Sequence, residues 1–416
     1  MHRRSLLAAL GWTIGLLALL ALNPGGARAA LADFHFLGVV TGLAGLDGAY
    51  GVALSPDGAH VYVTGNTDGT LVVMSRNANT GQLTHVQTLQ DGTAGVEGLA
   101  SASGLAVSPD GAHVYVAGKG DNALAVFSRD ANTGQLTFVE ALQDGVAGVD
   151  GLEGVVAVAL SPDGAHVYAA GHDEDALAVF SRDADTGQLT FVEALRDGQM
   201  QGVSTVDGLD GIFDLTLSPD GEHLYTAGLL DNAVATFNRD TSTGQLTFVE
   251  ALQDGQKQGN NTIDGLAGAT GVVVSPDGRY VYVTGLNDNS VVRFFRGSVT
   301  GKLIFLDMAR NGIDGVQGLL APWSLAVTPD GEHLVVAAFG SNALTVFQRN
   351  GLSGQITFQE TLVDGTNGVD GLNQITGVAA SPDSIYVYTA SGGDSAVAIF
   401  ATVAVQRQIF LPLIQR

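Results

Sequence analysis

No cysteine occurs among the 416 residues. That absence removes disulfide cross-links, thiolate nucleophiles and cysteine-ligated metals together. Positive charge is also scarce: 18 lysines and arginines stand against 42 aspartates and glutamates, a formal net charge of −24. Arg3, Arg4 and Arg28 precede the first acid, Asp33, in a segment expected to be removed; without them the chain has 15 basic and 42 acidic residues, or −27. Such a surface repels phosphates, which argues against nucleic acid and anionic membrane as partners. It suits solubility, a metal cation or a basic partner protein. Walker loops, HExxH and nucleophile elbows are missing, as is any Ser-His-Asp arrangement. The glycine-rich loops precede strand-like runs, so they are not phosphate cradles at helix starts.

What is present is glycine, 57 residues of it, with 45% hydrophobic residues. That combination fits an all-β chain with many tight turns and not a disordered one. The N-terminus reads as a secretory signal over residues 1–29. Met1-His2-Arg3-Arg4 is followed by an apolar run from Leu6 to Leu22 and by Ala27-Arg28-Ala29, an A-x-A cleavage site. Arg3-Arg4-Ser5-Leu6-Leu7 faintly resembles a twin-arginine signal. The mature chain is expected to start at Ala30 and to be extracellular, cell-surface or periplasmic; an uncleaved anchor is the alternative. No later stretch is long and apolar enough to span a bilayer.

Ser-Pro-Asp-Gly recurs at Ser55, Ser108, Ser161, Ser218 and Ser275, with variants at Thr328 and Ser381, at spacings of 53, 53, 57, 57, 53 and 53. Each unit holds four strand-like runs. In the third, strand A is Val155 to Leu160 and the Ser161-Pro162-Asp163-Gly164 turn leads to strand B, His166 to Ala170. Strand C is Ala176 to Ser181, and an Asp-Thr-Gly turn leads to strand D, Gln188 to Leu195. Apolar residues fall on both sides of the alternation, as in sheets packed on both faces. Four-stranded units repeated radially make a β-propeller; a linear β-solenoid would need caps. The seventh unit lacks its D strand, and Phe34 to Val40 stands unclaimed at the other end. The expectation is an all-β, seven-bladed propeller over residues 30–403, closed by residues 34–40 in the last blade, with a tail at 404–416.

The units Val-Tyr-Val-Ala-Gly, Asp-Asn-Ala-Leu-Ala-Val-Phe-Ser-Arg-Asp and Thr-Gly-Gln-Leu-Thr-Phe-Val-Glu resemble the lactonase-type seven-bladed propeller family. That family includes bacterial 6-phosphogluconolactonases and YVTN-type surface repeats. The resemblance covers residues 34–403 and implies hydrolysis of a small lactone. Family members usually carry a proline shortly before strand A; here only Pro322 has that place.

The D-to-A and B-to-C loops are expected on one face of the ring, where binding sites gather. Asp150, Asp207, Asp264 and Asp370 recur at one offset there, with Glu97, Gln317 and Asp47 in the other loops. Asp91, Asp144, Asp197, Asp254 and Asp364 open five loops, and Asn311 a sixth. Such carboxylates could hold Ca²⁺ or Mg²⁺; equally, an Asp before Gly makes an Asx-turn. His60, His113, His166, His223 and His333 share one repeat position, and so do Arg76, Arg129, Arg182, Arg239, Arg296 and Arg349; both sets read as structural. His172 is non-repetitive and lies on the loop face, so His172, Glu174 and Arg196 are the catalytic candidates. Lys119, Lys257 and Arg310 are the other non-repeat cations there. Because the blades are close copies, the expected function is an exported binding or scaffold propeller using its acidic loop face, with a small molecule, cation or protein as ligand. The alternative is a lactone hydrolase at the channel mouth.

Overall fold

The computed structural model describes residues 34–402. The expected export segment and the tail at 404–416 fall outside the described residues. Among those described, no helix is long and apolar enough to cross a membrane.

Seven four-stranded antiparallel sheets form the ring, each ordered A-B-C-D outward from the axis. The seven A strands are Ala49–Leu54, Ala102–Val107, Val155–Leu160, Ile212–Leu217, Ala269–Val274, Pro322–Val327 and Ile375–Ala380. Neighbouring A strands meet all the way round, that of blade 7 against that of blade 1. In blade 7 the outer strand is Phe34–Val40, paired antiparallel with Ala396–Thr402, so the two ends of the chain close one sheet as expected. The core is a set of clusters between adjacent sheets, such as Leu177, Val179, Leu209 and Phe237 between blades 3 and 4. The extra residues of the two longer repeats form small hairpins, Met200–Thr205 and Lys257–Thr262, which the sequence did not announce. Gln201 and Gln258 on these hairpins hydrogen-bond the backbone at Leu246 and Phe248, and at Leu303 and Phe305, in the next D strand.

The repeated arginine ties each blade to the one before it. Arg182 ends strand C of blade 3 with a side chain 1% exposed. Its Nε donates to the Tyr115 hydroxyl oxygen at 2.7 Å, and Nη1 to the Gly164 carbonyl at 2.9 Å. Nη2 donates to Asp110 Oδ2 at 2.8 Å and His113 Nδ1 at 2.8 Å. Asp110 belongs to the Ser-Pro-Asp-Gly turn of blade 2. Its other oxygen accepts from Ser108 Oγ and the Ala112 N–H, so one carboxylate shapes its own turn and holds the next blade. Tyr115 in turn donates to the Gly187 carbonyl. Gly187 has φ +78°, and a Cβ there would lie 2.2 Å from the His113 ring, so only glycine fits. Arg129, Arg239 and Arg296 repeat the arrangement. In the Arg76 and Arg349 clamps, Tyr386 and Tyr280 replace the histidine and lie under the guanidinium.

The junction of blades 6 and 7 is different. Thr402 takes the arginine's place, its N–H bonded to Ile385 O as Arg182 N–H is to Ala165 O. Val335 occupies the tyrosine position. His333 therefore has no clamp, and its Nδ1 is buried without a hydrogen bond. Phe34 packs edge-on against it at 5.3 Å, and the Phe34 N–H donates to Glu360 of blade 6 at 2.9 Å.

Two predictions follow from the clamps. Burial pushes each clamp aspartate up, but the Ser and backbone donors and the arginine outweigh it; Asp57 and Asp163 fall to about 2, and Asp110, Asp220, Asp277 and Asp383 are also lowered. A depressed carboxyl gives stability that is present above the unfolded value, about 3.9, and lost as pH falls through the folded one. Thermal unfolding should therefore show a steep drop in Tm between about pH 4 and 2; a Tm unchanged over that window would contradict it. Adding the missing clamp with Thr402→Arg and Val335→Tyr together should raise Tm measured by calorimetry, whereas neither change alone should.

Candidate functional site

The loop face carries carboxylates in groups of three. Each group takes one acid from the start of a D-to-A loop, one from the recurrent second position and one from the adjoining B-to-C loop. Asp144, Asp150 and Glu174 form one; Asp197, Asp207 and Asp231 another. Asp254, Asp264 and Asp288, and Asp364, Asp370 and Asp394, complete the set, with oxygens within 4.8 Å in each group. The first acid is a loop staple: Asp144 Oδ1 accepts the Leu152 N–H, Asp197 that of Leu209 and Asp364 that of Leu372. Asn311 does the same for Leu319, so charge is not needed for this task.

Two groups already hold a cation. Arg196 Nη2 bonds Asp150 at 2.6 Å and also Glu174, and Arg310 Nη2 bonds Asp264 at 2.8 Å and Asp288 at 3.2 Å. The groups containing Asp207 and Asp370 have no lysine or arginine partner among the described residues. Burial, and then the charges of Asp197, Asp207 and Asp210, push Asp231 up to about 6.

Glu174 and Arg196 thus meet in the loops, while His172 goes elsewhere. Its Nδ1 lies 2.8 Å from Asp173, which Lys119 approaches at 3.5 Å, and its ring stands edge-on to Phe213 at 6.0 Å. Phe213 leads into the central channel, whose mouth was the expected place for a hydrolase site but whose lining residues were not named from the sequence.

Strand A carries one extra residue near its start in every blade, relative to strand B. A bulge re-aims side chains, and here the second and third residues of strand A both reach the channel wall. The second residues are Tyr50, Ser103, Val156, Phe213, Thr270, Trp323 and Thr376, six types in seven blades that otherwise copy one another. The third position is crowded: a Cβ at Gly104 would lie 2.6 Å from Val156 O, and one at Gly377 2.5 Å from Tyr50 O. Glycine therefore predominates there. Blade 4 instead has Asp214, whose oxygens accept the Val272 N–H of blade 5 at 3.0 Å and the Leu215 N–H at 2.9 Å.

The result is a cup of about 180 Å³ at the loop-face end of the channel, lined by Tyr50, Phe213, Asp214, Thr270, Trp323 and Ser324 among others. A cavity of about 150 Å³ takes a benzene ring, so the cup suits one small ring. Phe213 and Trp323 meet edge to face at 5.1 Å, and Phe339 extends this aromatic wall, 5.3 Å from Trp323. Depth in the ring pushes the Asp214 carboxyl up to about 7, against the lowering effect of its two N–H donors. The Tyr50 hydroxyl is pushed up to about 12, chiefly by burial and further by the Asp214 charge, so it stays a neutral donor. The Trp323 indole N–H lies beside Tyr50 but outside hydrogen-bonding geometry. An aspartate inside an apolar strand, Ile212-Phe213-Asp214-Leu215, and the failure of the second strand-A position to repeat were the signals available in the sequence.

A family model described as "Lactonase, 7-bladed beta-propeller" matches residues 43–194 and 203–370. The 6-phosphogluconolactonase of Klebsiella pneumoniae (strain 342) is 26% identical over 235 residues, which span 55% of this chain and 65% of that enzyme, just under two thirds of its length. Among solved structures, the periplasmic gluconolactonase PpgL of Pseudomonas aeruginosa superposes with a TM-score of 0.60 at 22% identity, covering 77% of this chain and 86% of that one. Hydrazine synthase of Kuenenia stuttgartiensis fits with a TM-score of 0.61 at 19% identity, covering 88% and 99%. Likenesses at such identities establish the fold only.

The loop arginines have a direct internal control. Gln253 ends strand D of blade 4 at the place Arg196 and Arg310 take in blades 3 and 5. Arg196→Gln should lower the unfolding free energy by about 1 kcal/mol in urea titrations, because two carboxylates lose their partner at a partly exposed site. Gln253→Arg should raise it, by supplying Asp207 and Asp231 with a cation; equal effects of the two changes would contradict this account.

Proposed function

The chain belongs to the seven-bladed lactonase propeller family, and from that membership we propose that it hydrolyses a small lactone in the channel cup. The observation that carries the reading is the divergence of near-identical blades at the bulged positions facing the channel, where they assemble an aspartate, a tyrosine and an aromatic wall. An enzyme needs one asymmetric site, and the ring keeps its asymmetry there.

Asp214 is the general base. Its pKa near 7 leaves a useful carboxylate fraction at neutral pH with appreciable basicity. It takes a proton from a water whose oxygen attacks the lactone carbonyl carbon. The Tyr50 hydroxyl donates to the oxygen that gains negative charge. Collapse of the tetrahedral intermediate breaks the ring C–O bond, and the proton on Asp214 passes to the departing alkoxide. The product is an open hydroxy acid, whose carboxyl group loses its proton to give a carboxylate. Phe213 and Trp323 bound the ring and exclude bulk water.

Ca²⁺ or Mg²⁺ at the Asp207 or Asp370 groups would lie on the rim and steady the loops without entering these steps. The leader-like residues 1–29 support placing the activity outside the cytoplasm. A binding or scaffold role for the acidic loop face is the second reading, favoured by the repetition of its carboxylate groups in four loops.

Assay of a panel of five- and six-membered lactones should find turnover. Asp214→Asn should lower kcat/KM by about 10²–10⁴-fold, and Tyr50→Phe by about 10²-fold, with both variants folded by circular dichroism. Wild-type rates in Asp214→Asn would overturn the reading.

A further inference from the structure

We propose that the cup selects uncharged lactones, turns away phosphorylated ones, and expels its product by the same electrostatic field. This rests on the hydrolytic reading of the cup. Asp214 is the sole charged group among the residues lining the cavity, and the wall is otherwise aromatic, aliphatic or hydroxylic. Thirteen lysines and arginines lie among the described residues, and none lines the cup.

The cations of the loop face are already committed. At the mouth, Lys119 and His172 both face Asp173. Arg196 and Arg310 are held in their carboxylate groups. Lys257 bonds Thr262 within its own hairpin. The six clamp arginines are bound to the Ser-Pro-Asp-Gly turns, whereas the cup opens among the D-to-A and B-to-C loops.

A phosphate ester recognised in such a cavity would need a guanidinium or ammonium group to replace its water. It would instead meet Asp214 in the cup and the acidic loops on that face of the ring. Like charges in a partly desolvated cleft repel more strongly than in bulk water. Hydrolysis changes the sign of the argument for the substrate itself: a neutral lactone enters, and a carboxylate appears within the cup. The field that ignores the substrate then favours release of the product.

The test compares hydrolysis of glucono-1,5-lactone with that of its 6-phosphate at low and high ionic strength. The expected result is a kcat/KM at least about tenfold higher for the neutral lactone, with the gap narrowing as salt screens the charges. Equal or faster turnover of the phosphate ester would overturn the inference and leave the hydrolytic reading standing. Turnover of neither would defeat the hydrolytic reading, and binding then decides the inference. Trp323 is one of two tryptophans, so in Trp12→Phe its fluorescence reports on the cup. Quenching by the neutral lactone but not by the 6-phosphate or by gluconate supports the charge selection; a response equal for all three, or absent for all three, overturns it.

Discussion

A guanidinium buried between two blades fixes the pattern of the rest. Each of six arginines satisfies a carbonyl, a tyrosine hydroxyl and a carboxylate at once, with its side chain almost withdrawn from water. Removing one partner of such a group would strand a buried charge, at a cost of about 3–5 kcal/mol. The clamp therefore dictates the Ser-Pro-Asp-Gly turn, the tyrosine of strand B, the arginine of strand C and the glycine of the C-to-D turn together. Blades remain near copies because four positions must change in concert or not at all. What the clamp leaves unconstrained is the far end of strand A and the first residue after strand B, and those are the positions that vary.

The seam between blades 6 and 7 is where this constraint meets the ends of the chain. The C-to-D turn that carries the clamp elsewhere does not exist in blade 7, because its C and D strands come from opposite ends of the sequence. Thr402 and Val335 stand at the positions of the arginine and the tyrosine, so no clamp guanidinium ties blade 7 to the Asp330 turn of blade 6. Apolar packing of Phe34 and the Glu360 bond to its N–H hold the closing strand instead. Closure by a strand and closure by a guanidinium are alternative solutions to one problem, the unsatisfied edge of an open ring.

Fold was legible in the residues because turn chemistry is local: Pro and Gly at fixed offsets mark each blade, and an unclaimed strand at Phe34 answers a missing one after Thr402. The structural reading of the repeated arginines followed from their recurrence alone, but their partners in the preceding blade lie 67–76 residues away for five of them and more than 300 for Arg76, and could not be named. His333 shares a position with four clamp histidines and yet lacks their arginine, a difference visible only once Thr402 is aligned with Arg349. The cup was hidden for a different reason. Alternation says that adjacent strand residues face opposite sides, so Phe213 and Asp214 do not read as neighbours in one cavity. A bulge overrides that rule, and nothing in an apolar strand of six residues marks it. The loop carboxylates and the non-repeating His172 drew attention to the loop face, where the structure brings Asp150, Glu174 and Arg196 together in one ion-paired group and turns His172 toward the channel.

The division of labour that emerges is between a repeated, charge-clamped outer ring and a single non-repeating cup near its axis. Asp214 connects the two, since it bridges blade 4 to blade 5 through the Val272 N–H while facing the cavity. Its proton affinity is the property on which the chemistry depends. The most direct measurement is the pH dependence of kcat/KM for lactone hydrolysis, corrected for the uncatalysed rate. Base catalysis by Asp214 predicts a rise governed by one ionisation near pH 7, lost in Asp214→Asn. A profile that is flat from pH 5 to 8, or the same ionisation persisting in Asp214→Asn, would contradict it.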